Sequence, residues 1–136
     1  MLDTNVLVAA IRSRNGASFR LLRLVREGNV GLVLSVPLVL EYEDALKRSA
    51  RKAGLTLPDV DDLLDYLCAV GEHREVFFLW RPCLKDPGDD MVLEVGVESG
   101  CDYLVTHNVK DFVGAERYGV RVVTPSELLQ VLGEQP

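Results

Sequence analysis

Gly31-Leu32-Val33-Leu34-Ser35-Val36-Pro37 is the stretch on which the fold turns. Three consecutive apolar residues between a glycine and a serine suit a strand buried on both faces, as in a parallel sheet. Pro37 stands where the next helix would begin, because a proline in the first turn gives up no intrahelical hydrogen bond. The pattern beyond it runs to about Lys52, with Leu38, Tyr42, Ala45 and Leu46 on one stripe, and Gly54 supplies the stop.

The same alternation extends outward in both directions. Upstream, Ala17 to Arg26 reads as a helix with Leu21, Leu22, Leu24 and Val25 inward, ended by Gly28. Before it, a very short strand from Met1 to Thr4 leads into an apolar segment from Val6 to Ile11. Downstream, Asp59 is placed to cap a helix through about Gly71, and the β-branched and aromatic run Val76 to Trp80 reads as a strand. Pro82 and Pro87 frame a loop, and a further helix begins near Asp89 and stops at Gly100. Tyr103 to Thr106 and Val120 to Val123 are two more strands. Thr124-Pro125-Ser126-Glu127 combines a capping box with a proline at the first helical position and opens a last helix reaching Leu132. Strands separated by helices imply βαβ units, right-handed crossovers and a parallel sheet, so the fold class is α/β.

Composition bounds what such a chain can be. At 136 residues with 48% hydrophobic and 26% charged residues, it has enough apolar material for one core, and a single domain over 1–136 is expected. Neither repeats nor low-complexity tracts divide it. Cys68, Cys83 and Cys101 are odd in number and contain no CxxC pair, which argues against a disulfide framework or a zinc ribbon and for a reducing cytoplasm. Asp3 interrupts the first apolar run before it can serve as a signal peptide, and no membrane-length apolar span exists, so a soluble cytoplasmic protein is expected. With 15 Lys and Arg against 21 Asp and Glu, the formal charge of −6 repels nucleic acid unless basic patches or bound cations offset it locally.

In a parallel α/β sheet, chemistry collects beyond the carboxyl ends of the strands. Asp3, Thr4 and Asn5 leave the first strand there, and Thr106, His107 and Asn108 leave a later one. Glu41 lies three residues after Leu38 and four before Ala45, so it faces the core side of its helix, while Glu43, Asp44, Lys47 and Arg48 fall on solvated faces. Asp89 aligns with Val92, Leu93 and Gly96 and is more inward than Asp90. Each acid has a local explanation: an Asx turn for Asp3, a helix cap for Asp89, a pairing of Glu41 with Arg12 or Arg48. Together they are costly to bury without a counter-charge, and a divalent cation such as Mg²⁺, which takes hard oxygen ligands, is the economical one. Arg12, Arg14, Arg20, Lys85, Lys110 and Arg117 could rim such a site and guide a polyanion, though scattered basic residues are as readily ordinary surface. His107 could touch phosphate, and His73 reads as exposed-helix background.

At this point the chain resembles the PIN domain family, and within it the bacterial and archaeal members regarded as toxins. The resemblance is carried by Asp3-Thr-Asn-Val-Leu7, Ser35 through Glu41-Tyr42, Phe78-Leu-Trp-Arg-Pro82 and Asp86-Pro-Gly-Asp-Asp90. It continues in Asp102-Tyr-Leu-Val-Thr106, Asn108, Asp111-Phe112 and Thr124-Pro125, in that order over nearly the whole chain. What it implies is a three-layer α/β/α domain with a mostly parallel central sheet. The implied activity is that of an endoribonuclease using Mg²⁺ or Mn²⁺. By position, the implied catalytic residues are Asp3, Glu41, Asp89, Asp90 and Asp111, with metal at Asp3, Glu41 and Asp89 or Asp90. Thr4, Asn5, Thr106 and Asn108 are the implied supporting hydrogen-bonders. The implied partners are an RNA substrate and a small antitoxin, with a homo-oligomer expected and no membrane. Two features depart from the family pattern. Only Met1 and Leu2 precede the Asp-Thr-Asn motif, and Asn108 stands where many relatives carry an Asp, which removes a charge from the fourth position.

Other acidic-pocket folds fit less well. A haloacid-dehalogenase-like phosphatase needs a second Asp two residues after the first, where this chain has Asn5. A receiver domain places its acidic pair after the first strand, whereas Asp89 and Asp90 come late. The runner-up is a PIN-like domain without catalysis that serves as a nucleic-acid or protein binding module.

Overall fold

The structure, a computed structural model, describes residues 1–73 and 102–133. The expected strand Val76 to Trp80, the helix from Asp89 to Gly100, Asp89 and Asp90 themselves, and Lys85 lie outside them. Among the described residues the order is α1 (Thr4–Arg12), α2 (Ala17–Arg26), β1 (Val33–Leu34), α3 (Val36–Ser49), α4 (Leu57–Val70), β2 (Glu72–His73), β3 (Tyr103–Val105), two 3₁₀ turns (Val109–Phe112 and Ala115–Tyr118), β4 (Arg121–Val123) and α5 (Pro125–Val131). All the strand pairing among the described residues is parallel. Val33 and Leu34 align with Glu72 and His73, and Tyr103, Leu104 and Val105 align with Arg121, Val122 and Val123. This is the α/β fold with parallel pairing that the strand and helix alternation predicts.

Three boundaries differ from the sequence reading, each for a local reason. The first strand is a single parallel bridge between Leu2 and Val105, and the helix already starts at Thr4, because Asp3 turns the chain and caps it. The cap of α4 is Thr56, whose hydroxyl accepts from the Asp59 amide while the Asp59 carboxylate accepts from the Thr56 amide, a reciprocal box that puts Asp59 one turn inside. His73 lies in β2, not on a helix, since Gly71 leaves the helix in extended backbone and Glu72 donates its amide to the Leu32 carbonyl.

Gly71 is required by space. A β-carbon there would sit 2.5 Å from Cδ1 of Leu34 and 2.9 Å from the Leu67 carbonyl oxygen, so only hydrogen fits between α4 and β1. One buried cluster joins the elements, with Leu7 and Leu21 from the first two helices, Leu34, Leu38, Tyr42 and Leu46 from the next unit, and Leu104, Phe112 and Leu129 from the last. Leu21, Leu24 and Val25 are buried in α2 as the helical spacing predicts. Lys47 of α3 reaches Asp61 of α4 at 3.2 Å on the exposed side, a solvent-screened pair that contributes little. Arg48 pairs with Asp44 at 3.0 Å, so it is engaged on its own helix rather than with Glu41.

Candidate active site

The architecture brings two chain segments side by side. Met1 and Leu2 run parallel to β3, with the Met1 amino group donating to the Tyr103 carbonyl, the Val105 amide to the Met1 carbonyl and the Asp3 amide to the Val105 carbonyl. The carboxyl ends of both segments therefore coincide, and Asp3 meets Thr106. Both are buried, Thr106 completely.

Thr106 is the hub. A hydroxyl has one proton and two lone pairs. Asn5 Nδ2 donates to it at 3.2 Å and the Asn108 amide at 3.1 Å, which fills both lone pairs. Its proton is left for Asp3 Oδ2, 2.7 Å away, a short charge-assisted bond. Asp3 Oδ1 accepts from the Thr4 amide at 2.8 Å, so one oxygen caps α1 and the other is held from β3. Asn5 is fixed at both ends as well, because its Oδ1 accepts from the His107 amide at 3.2 Å. An aspartate in its place would be acceptor-only toward Thr106 and would add charge beside Asp3, which explains why the amide suits this position.

Burial is the main cause that raises the Asp3 pKa above the ordinary carboxylate value, and the nearby Asp111 carboxylate adds to it. The Thr106 and Thr4 hydrogen bonds and the field of His107 act in the opposite direction. Asp111 is exposed on the 3₁₀ turn after Asn108, whose carbonyl accepts from the Asp111 amide at 2.9 Å. Glu41 is half-buried on α3, with Oε2 shut off from solvent, as its place on the inward stripe predicts. Its neighbour Tyr42 is fully enclosed and donates its hydroxyl to the Leu2 carbonyl, so α3 is tied to the chain just ahead of Asp3. The Tyr42 pKa is raised well above the ordinary phenol value, first by burial and then by the charges of Asp3 and Glu41. Asp111 thus acts on Asp3 from the turn after β3, while Asp3 and Glu41 both act on the Tyr42 hydroxyl.

Two features were not visible in the sequence. Ser18, buried in α2, has its Oγ 2.8 Å from His107 Nε2, which anchors the loop after β3 to a second helix. The helical spacing of Ser18 with Leu21, Leu22 and Val25 was the available signal. Thr4 Oγ1 is buried with no hydrogen-bond partner among the described residues.

The family comparison can now be set beside this geometry. The sequence profile described as PIN domain matches residues 1–110, from the Asp3 segment through Thr106 and Asn108. The chain belongs to the PIN domain family. No curated protein and no solved structure matches it significantly. PIN domains are in general nucleases; they bind nucleic acid and typically use divalent metal ions. No helix among the described residues is long and apolar enough to cross a membrane.

A divalent cation fits the residues present. Among the described residues no three His, Cys, Asp or Glu side chains gather as one metal-binding group. Mg²⁺ needs no such cage, since it binds through one or two carboxylates and completes its shell with water and phosphate. The donor set here is all oxygen, and the carboxylates repel one another at a buried position, a cost that a bound cation reverses.

Proposed function

We propose that this PIN domain is a metal-dependent endoribonuclease that hydrolyses RNA phosphodiester bonds and acts as the toxin of a toxin–antitoxin pair. The observation that carries the reading is the buried Asp3 carboxylate, gripped by Thr106 and Thr4 and facing the field of Asp111. Capping α1 occupies one of its oxygens, and a buried carboxylate with a perturbed pKa beside a second carboxylate is a common mark of a ligand site.

Asp3, Glu41, Asp89 and Asp90 would hold the Mg²⁺ or Mn²⁺ ion, whose chemistry is Lewis-acid neutralisation of the scissile phosphate and acidification of a water. The chain's own share is positioning. Thr106 and the Thr4 amide fix the Asp3 carboxylate in one orientation before any substrate arrives, so none of that ordering is left for the reaction. Asp111, exposed beside Asp3, is suited to orient the attacking water and accept its proton. Asn5 and Asn108 keep Thr106 turned toward Asp3.

The toxin role rests on the risk that such an enzyme poses to its own cell, which calls for a small antitoxin. A basic side chain from it, best an arginine with its planar fork, would pair with the carboxylates and exclude metal and substrate together.

The test is incubation of the purified chain with unstructured and structured RNAs, with and without Mg²⁺ or Mn²⁺. Cleavage is expected only with metal, is abolished by EDTA, and falls at least a hundredfold in Asp3→Asn. Equal cleavage by a folded Asp3→Asn variant would assign the activity to another site or a contaminant.

A further inference from the structure

From the acidic site an open groove of about 620 Å³ runs along one face of α1, past Val8 and Ala9, to Arg12 and Ser13 at the far end of the helix. Asn5, Val8, Ala9 and Arg12 share this face because they are spaced three and four apart. Asp3 therefore occupies one end and a guanidinium the other. Arg12 is exposed and makes no ion pair among the described residues. Between the two ends the lining is small and apolar, without a charge to repel a strand laid across it.

We infer that this groove is the path of the RNA strand leading away from the cleaved bond, and that Arg12 binds one of its backbone phosphates. The inference rests on the ribonuclease reading and adds to it a binding residue outside the acidic site. Asp3 and Arg12 are nine residues apart, which is roughly 14 Å along the helix axis at 1.5 Å per residue. At the roughly 3.4 Å rise of a stacked strand, the phosphate at Arg12 lies about four nucleotides from the cut, and fewer if the strand is stretched. On a chain of net charge −6, a guanidinium at that distance also biases the direction in which the polyanion lies. Val8 and Ala9 offer the sugars an apolar floor.

Steady-state cleavage of unpaired oligoribonucleotides by wild type, Arg12→Ala and Arg12→Lys in the full chain tests this, with folding checked by circular dichroism. A series of substrates carries one neutral methylphosphonate at each of the phosphates flanking the cut. Arg12→Ala is expected to raise KM about tenfold with kcat unchanged, and to lower the salt slope of binding by about 0.7, the value for one phosphate of a single strand. Arg12→Lys, which keeps the charge, is expected to stay within about threefold of wild type. One methylphosphonate position should weaken the wild type as much as Arg12→Ala does and leave Arg12→Ala indifferent. A KM for Arg12→Ala within about twofold of wild type, or equal losses in both proteins at every methylphosphonate, overturns the inference while the ribonuclease reading stands. A wild type that neither binds nor cleaves RNA with Mg²⁺ or Mn²⁺ removes both.

Discussion

Thr106 concentrates the site's polar order in one hydroxyl. Replacing it by valine keeps the shape and leaves the Asn5 amide, the Asn108 amide and the Asp3 carboxylate without their shared partner. Each such orphaned group costs about 1–3 kcal/mol, so Thr106→Val should lower the unfolding free energy, read from urea titrations, by at least that much and reduce cleavage, while Thr106→Ser should restore both. Asp3 itself has a pH signature. Its pKa is raised on folding, so the folded chain holds the proton more tightly than the unfolded one. The stability this contributes is fully present below the unfolded value of about 3.9 and is lost as pH rises through the raised folded value. In EDTA, the stability of wild type relative to Asp3→Asn should therefore fall as pH rises above about 4, through the raised folded value, as read from urea titrations at each pH. A flat difference would mean that Asp3 is not under strain. Asp3 was legible from the sequence because it follows an apolar run at the chain's turn into a helix. Its bond to Thr106 was not, since 103 residues separate the two.

At the scale of elements, α2 was read to the residue because its apolar spacing is unbroken and Gly28, at φ 80°, takes the left-handed turn after it. Strands β1, β3 and β4 were legible in place and overestimated in length, whereas β2 was not foreseen. Strands of two or three residues carry no period of their own, and an apolar run marks where a strand lies without saying how many of its residues find partners. The first strand shows this best, since Asp3 ends it by capping the helix. The junction of α4 with β1 makes a sharp prediction. Gly71→Ala keeps an accessible backbone conformation, with φ at −82°, and must push aside the Leu34 side chain or the Leu67 carbonyl. Overpacking of this kind costs about 1–3 kcal/mol, which thermal unfolding would register as a drop of several degrees. Unchanged stability would show that α4 can shift on β1 freely.

For the molecule as a whole, Asp111 acts on Asp3, and Asp3 and Glu41 both act on the buried Tyr42 hydroxyl. Neutralising the half-buried Glu41 removes the cost of desolvating its charge, so Glu41→Gln should be as stable as wild type in EDTA, or more so. Binding of a cation reverses the balance. At a hundred times its Kd, Mg²⁺ should stabilise the wild type by about 2.7 kcal/mol, and Glu41→Gln by clearly less. Thermal scans with and without Mg²⁺ separate the two. A loss of stability in Glu41→Gln without metal would mark Glu41 as a structural residue instead.

By itself the sequence determined the α/β class, the positions of the described helices and the inward stripe carrying Glu41, because these follow from spacing, capping chemistry and short motifs that act within a few residues. Only the tertiary structure decided that Asp3 and Thr106 share one hydrogen-bonded centre, that Ser18 anchors His107, that Asp111 acts on Asp3, and that Arg12 closes a groove beginning at Asp3. Those relations depend on parallel pairing of Leu2 with Val105 across most of the chain, and local propensity carries no information about which distant segments will pair.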